Sequence, residues 1–359
     1  MTIPQSVDDL TPAWLTEALG AMLGGGSVDA VRSEDIGTGV GVFGVIARLH
    51  LSYSGVPTTA PATVIAKLPT NAEANRNVGM ALGLYARENH FYDTVAESVP
   101  FAVPACYVSL SDPDAGEFLL IMEDLGELEA GDQLTGISVE RARSIIEALA
   151  SFHAAWWESP GLDALDWLPA QNDPIYLAAV PPIVTAGVAA LAALAADLPE
   201  GSLELASRVD AGFVRILHKC AAGPRTFVHG DTRLDNLFFT PGSNDFTLID
   251  WQLSLRCRGV YDVVWLLATS MDIEVQNDHA DSLLVQYHEA LERNGVSWPL
   301  AEVRRAAAEH AAYLLSGPLS LIGTFDFSEA GDGRAAQLTR KWVGRGFNLA
   351  LLYGAGDVV

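Results

Sequence analysis

Lysine is scarce in this chain: Lys67, Lys219 and Lys341 are the only ones among 21 lysines and arginines. Positive charge of either kind is outnumbered by 45 acidic residues, which leaves a formal net charge of -24. A nucleic acid or an anionic membrane surface needs a basic face on its partner, so neither is expected here. The acidity is compatible with a cationic ligand, but an acidic, soluble cytoplasmic surface accounts for it as well and is the preferred reading. Cysteine is also sparse. Cys106, Cys220 and Cys257 are odd in number, far apart and without a CxxC spacing. That sets aside a disulfide framework and a zinc site, and favours buried thiols in a reducing cytoplasm. Long apolar runs are missing too: the most apolar stretch, Val188 to Ala196, stops at Asp197 and is too short to span a bilayer. The N-terminal MTIPQSVDDL has no basic n-region and no apolar core, so no signal peptide is expected.

What is present concentrates in Phe227 to Trp251, FVHGDTRLDNLFFTPGSNDFTLIDW. Phe227 and Val228 lead into a His229-Gly230-Asp231 loop, and Asn236 follows five residues after that Asp. Leu237 to Phe239 leaves as a short apolar strand, Pro241 to Asp245 is turn chemistry, and Phe246 to Ile249 reads as a returning strand that ends at Asp250. Such a hairpin would carry Asp231, Asn236 and Asp250 towards one point. Two acids and an amide suit metal-assisted phosphoryl transfer: Asn236 and Asp250 are oxygen ligands for Mg²⁺, and Asp231 can accept the hydrogen bond of an incoming hydroxyl. A surface hairpin with incidental acids is the bland alternative, and the joint spacing argues against it.

The order HGD, Asn, Asp is that of protein kinases, with Gly230 in place of the usual Arg and Asp-Trp in place of Asp-Phe-Gly. In that form the stretch closely resembles the aminoglycoside phosphotransferase family, which includes choline-kinase-like small-molecule kinases. The rest of the chain supplies the other parts in order. Gly39, Gly41 and Gly44 match GxGxxG, and Val45 to Tyr53 then alternates like a strand, where a dinucleotide fold would open a helix. Ala62 to Leu68 runs back and carries Lys67 in VIAK, similar to the kinase lysine that grips the α- and β-phosphates of ATP or GTP. Its acidic partner is expected to be Glu88, on a helix over Ala81 to Ala96, with Glu73 as the competitor. Glu117 to Leu125 reads as a strand. The resemblance makes it the hinge between lobes, with the Glu123 carbonyl and the Leu125 N–H as purine contacts.

Elsewhere the pattern is helical. Asp8 to Leu23 has leucines at helical spacing. Ser138 to Trp157 is amphipathic with Ser138 as N-cap, and its His153 is read as a core histidine under the catalytic loop, for want of a partner at ligand spacing. Leu203 to Ala221, Ala301 to Leu315 and Ala335 to Leu352 are further helices, whereas Met271 to Asp281 reads as an acidic, solvated connector. Gly161 to Pro199 offers no substrate residue. Asp262 lies in a segment resembling the one that follows the metal Asp in the family. There it would support the catalytic loop together with His229, although a helix N-cap role is equally open.

The expected fold is α+β: a bilobal protein-kinase-like fold with a small β-rich N-lobe (1–125) holding one main helix, and a larger, mostly helical C-lobe (126–359). The resemblance implies a Mg²⁺-dependent kinase with ATP or GTP as donor and a small hydroxylated acceptor. Asp231 would be the base, and the protein a monomer or a homodimer. A protein kinase is disfavoured by HGD and by the lack of an APE-like segment. A pseudokinase is disfavoured because every catalytic position is filled.

Overall fold

The structure is a computed structural model, described for residues 1–36, 43–55, 60–324 and 333–359. Gly39 and Gly41 lie outside the described residues. The chain divides into two compact units: Met1–Leu128 with Ile249–Leu253, and Glu129–Leu248 with Ser254–Val359. A linear cut at Leu125–Gly126 therefore differs from the packing in one respect that bears on chemistry: Asp250 groups with the first unit.

That first unit is built on an antiparallel sheet of β1 (Ser27–Asp35), β2 (Gly44–Ser54), β3 (Thr63–Pro69), β4 (Cys106–Asp112) and β5 (Glu117–Glu123), in the order β1-β2-β3-β5-β4. A strand, not a helix, starts at Gly44, and this removes the dinucleotide alternative. One face of the sheet presents Leu49, Val64, Ala66, Leu119 and Ile121 to a core shared with Leu15, Leu19 and Leu23. Those leucines come from α1 (Pro12–Ala18), α2 (Gly20–Leu23) and the residue between them, Leu19, where one continuous helix was expected. Thr11 caps α1 through Trp14 N–H with Pro12 as its first residue, so the helix begins late. The helix expected over Ala81 to Ala96 is α4 (Leu84–Thr94); a further helix, α3 (Glu73–Ala81), precedes it, and the two are separated at Gly83, whose φ of 66° is left-handed.

The second unit is mostly helical. It contains α5 (Val139–Trp156), α6 (Pro160–Ala164), α7 (Pro174–Ala190), α8 (Ser202–Ala221), α9 (Val260–Ser270), α10 (Ile273–Arg293), α11 (Leu300–Leu314), α12 (Ser316–Thr324), α13 (Arg334–Leu352) and α14 (Ala355–Val358). Its short strands are β6 (Glu129–Ala130), β7 (Thr226–Val228), β8 (Leu237–Phe239), β9 (Phe246–Leu248) and β10 (Leu255–Cys257). The α+β class and the division into a sheet-rich and a helical part are those expected.

Two sequence readings are corrected here. Met271 to Asp281 is no solvated connector, because α10 starts at Ile273 and buries Gln276, Ala280, Leu283, Leu284 and Tyr287 along one stripe. Its acids occupy the outer face, which hid the helical period. Asp272 just before it is tied to Arg345 Nη2 at 2.6 Å and to Lys341 Nζ at 3.2 Å. Second, the apolar stretch is longer than Val188 to Ala196. Pro174–Leu194 contains an 18-residue window of mean hydropathy 2.0, long and apolar enough by length and composition to cross a membrane, and 22% of that window is buried. Pro181 and Pro182 lie inside α7, where proline ordinarily interrupts a helix. α7 packs against α8 and α12.

Candidate active site

In the first unit, alternation along β3 sends Val64, Ala66 and Leu68 into the core and leaves Lys67 on the other face, opposite Leu120 of β5. α4 supplies one partner, Glu88, and the segment just after β9 supplies the other, Asp250. Lys67 Nζ lies 2.6 Å from Glu88 Oε2 and 2.8 Å from Asp250 Oδ1. Burial works against the Lys67 ammonium, but Asp250 and Glu88 outweigh it and hold the group above the ordinary lysine range. Burial pushes the Glu88 carboxyl up and Asp250 adds to that, against the pull of Lys67. One ammonium between two carboxylates leaves a local excess of negative charge, which favours a cation.

Asp250 itself has φ 67°, a left-handed conformation costing a non-glycine residue about 1–2 kcal/mol. Its neighbours hold it there. Gln252 Nε2 donates to Asp250 Oδ2 at 3.2 Å, and the buried Arg87 donates to the Gln252 carbonyl at 3.0 Å. Trp251 is fully buried and stacks on Phe91, with ring centroids 3.9 Å apart and planes 6° from parallel. Arg87, Glu88 and Phe91 thus act from a single turn of α4. Gly44 opens β2 opposite Pro69. Glu123 ends β5 and is exposed, with its backbone N–H on the Ala105 carbonyl at 2.8 Å, and Leu125 lies beyond the strand. Arg48 forks onto Asp124 at 2.7 and 3.1 Å, and Asp124 accepts Gly126 N–H at 3.0 Å. Glu73 sits exposed in the first turn of α3.

In the second unit, β7 pairs with β10 and places the HGD loop at its end. The loop is shaped from beneath by Asp262, which lies on α9 and is fully buried. Asp262 Oδ2 accepts His229 N–H at 2.8 Å, and Oδ1 accepts Gly230 N–H at 2.9 Å. His153 Nε2 meets Oδ2 at 3.2 Å, while His153 Nδ1 is 2.9 Å from the Tyr287 hydroxyl. Asp262 is therefore a loop support rather than an N-cap, the cap position being Gly259. Gly230 has φ 87°, which a side chain would strain. His229 Nδ1 accepts Asp231 N–H at 3.1 Å and Tyr261 donates to the Gly230 carbonyl at 3.2 Å.

Asp231 emerges from this frame only 5% exposed. Its Oδ1 accepts the Trp265 indole N–H at 2.8 Å, its Oδ2 accepts Asn236 Nδ2–H at 3.0 Å, and Arg233 Nε forms an ion pair with Oδ2 at 3.3 Å. Asn236 Nδ2 also donates to the Asp231 carbonyl at 2.9 Å, so the carboxamide turns its oxygen away from Asp231 as a donor for a hard cation. The structure thus gathers Lys67, Glu88 and Asp250 in one unit, and His229, Asp231, Asn236 and Asp262 in the other. Sequence reasoning missed Arg233, Trp265 and Arg87. Arg233 could have been suspected from its place two residues after Asp231. Trp265, an aromatic in an apolar helix, gave no signal beyond core. Among the described residues, no group of three or more His, Cys, Asp or Glu could hold a metal ion. A Mg²⁺ held by one or two protein oxygens plus phosphate would leave just such a sparse set.

The buried Asp262 carboxyl carries a pH prediction. Burial raises it, but the His153 hydrogen bond, the charges of His153 and His229 and the Gly230 N–H together bring it below the usual aspartate value. A depressed folded value stabilises above the unfolded one, about 3.9, and the contribution disappears as pH falls through the folded value. Asp262→Asn should therefore melt well below wild type at pH 7, with the gap narrowing below about pH 4. Thermal melts across pH 3 to 7 check this, and a gap of constant size would remove Asp262 from the acid dependence.

A sequence profile, the phosphotransferase enzyme family, matches residues 79–298. No curated protein matches by sequence. Among solved structures, a Plasmodium vivax ethanolamine kinase superposes with a TM-score of 0.54 at 11% identity, covering 92% of this chain and 85% of that one. The GDP complex of an aminoglycoside 2'-phosphotransferase gives 0.54 at 13%, covering 96% and 98%. A macrolide 2'-phosphotransferase gives 0.50 at 15%, covering 95% and 98%. At these identities the likeness is one of fold.

Proposed function

The chain belongs to the phosphotransferase enzyme family, and from that premise we propose that it moves the γ-phosphoryl group of ATP or GTP to a hydroxyl of a small molecule. An antibiotic, a sugar, an amino alcohol or a nucleoside would each present such a hydroxyl. Asp231 accepts the hydrogen bond of the acceptor and takes its proton late, as the new O–P bond forms and the bond to the nucleoside diphosphate breaks. Lys67, held by Glu88, and the glycine stretch 39–44 engage the donor phosphates, and the Glu123 carbonyl with the Leu125 N–H addresses the base. Asn236 and Asp250 would hold Mg²⁺, which neutralises phosphate charge when bound. The rate gain then comes mostly from positioning and charge placement.

The observation that carries this reading is the setting of Asp231: a nearly buried carboxylate ringed by N–H donors, on a loop whose backbone is pinned by a second buried acid. The test is a nucleotide-consumption screen over hydroxylated metabolites and antibiotics, with Asp231→Asn protein as blank. Acceptor-dependent consumption by wild type alone supports the reading. Normal nucleotide binding with no acceptor turned over would favour a nucleotide-binding scaffold instead.

A further inference from the structure

Three residues of α9 act on the catalytic loop from within one turn or so. Asp262 holds the two backbone N–H groups before Asp231, Tyr261 holds the Gly230 carbonyl, and Trp265 reaches the carboxylate itself. We infer that Trp265 is a positioning residue for the base, its indole N–H setting the rotation of the Asp231 carboxylate so that it faces the acceptor hydroxyl. The inference rests on the phosphotransfer reading of Asp231.

The argument begins with what holds the indole. Trp265 is 8% exposed, lies 6.1 Å from Tyr261 with planes 17° apart, and meets Trp342 of α13 edge-on at 5.5 Å and 88°. Gly317 of α12 comes so close that an added Cβ would fall 3.1 Å from the Trp265 ring and 2.8 Å from that of Trp342. Walled in by α9, α12 and α13, the ring has little freedom. Its N–H is a rigid donor, unlike the long Arg233 side chain on the other carboxylate oxygen. A buried indole N–H needs an acceptor, and a backbone carbonyl would satisfy it equally well. Here it is aimed at the one carboxylate that must keep a fixed direction for the reaction. It is also neutral at every accessible pH, so it orients Asp231 without adding a positive charge that would lower the carboxylate's proton affinity.

Trp265→Phe deletes the donor but shrinks the bicycle to a single ring, and benzothienylalanine at the same position deletes it without changing ring size. Both should lower kcat about 10- to 100-fold while leaving the nucleotide KM close to wild type, and the benzothienylalanine protein should also keep its melting temperature close to wild type. In an Asp231→Asn background, Trp265→Phe should lower the residual rate no further, because the pair acts as a unit. The hydrogen bond is read separately from activity: the Trp265 indole N–H resonance should move in Asp231→Asn. A fully active benzothienylalanine protein, additive losses in the double variant, or an indole resonance indifferent to Asp231→Asn each overturns the inference. If the resonance moves but wild type transfers phosphate to no acceptor, the phosphotransfer reading has failed, and the positioning role with it, while the hydrogen bond stands.

Discussion

Asp231→Asn should lower acceptor phosphorylation by about 10²–10⁴-fold and leave nucleotide binding nearly unchanged. The loop backbone is held by Asp262 and by His229 Nδ1 on the Asp231 N–H, groups that the substitution leaves in place. What changes is the group that takes a proton. The amide also presents N–H₂ where the Trp265 and Asn236 donors now point, so one of those contacts is lost or the side chain flips. Initial rates at saturating nucleotide, with titration of a fluorescent nucleotide in parallel, separate the two effects. A variant within threefold of the wild-type rate would take Asp231 out of the base role.

Lys67→Ala should act on both stability and the donor. It strips the ammonium from between Glu88 and Asp250, of which Glu88 is almost wholly buried. Breaking a buried pair by removing one partner costs about 3–5 kcal/mol, because the remaining charge is uncompensated. A melting temperature lowered by several degrees and a nucleotide KM raised by at least tenfold are the expected results. Lys67→Arg should restore charge but little function, since a planar fork cannot place a compact ammonium within 2.6 and 2.8 Å of two carboxylates. An arginine variant with wild-type KM would mean that only charge matters at this position.

Much of the site could be read from the chain because its parts carry local signatures. The hairpin of β8 and β9, with Leu237 opposite Leu248, follows from apolar runs around a turn-rich segment, and Ser138 caps α5 by accepting Arg141 N–H. Edge strands were harder. β1 buries Val28 alone among its nine residues, and β4 buries only Val108, so neither shows the alternation that marks a strand with a covered face. The α3–α4 break depended on a left-handed Gly83, which leaves no trace in hydrophobic period. The donors around Asp231 were hidden for another reason. Trp265 and Arg233 are defined by where they point, and a residue's direction within a fold is not a property of its neighbours in sequence.

The single turn of α4 that holds Arg87, Glu88 and Phe91 has a mechanical consequence. Twisting this helix by a fraction of a revolution would unhook a backbone carbonyl, an ammonium and an indole together, because all three grips share one axle. Loss of the donor-side arrangement should then behave like a latch, whole or undone, with no graded half-grip for a ligand or a temperature change to exploit.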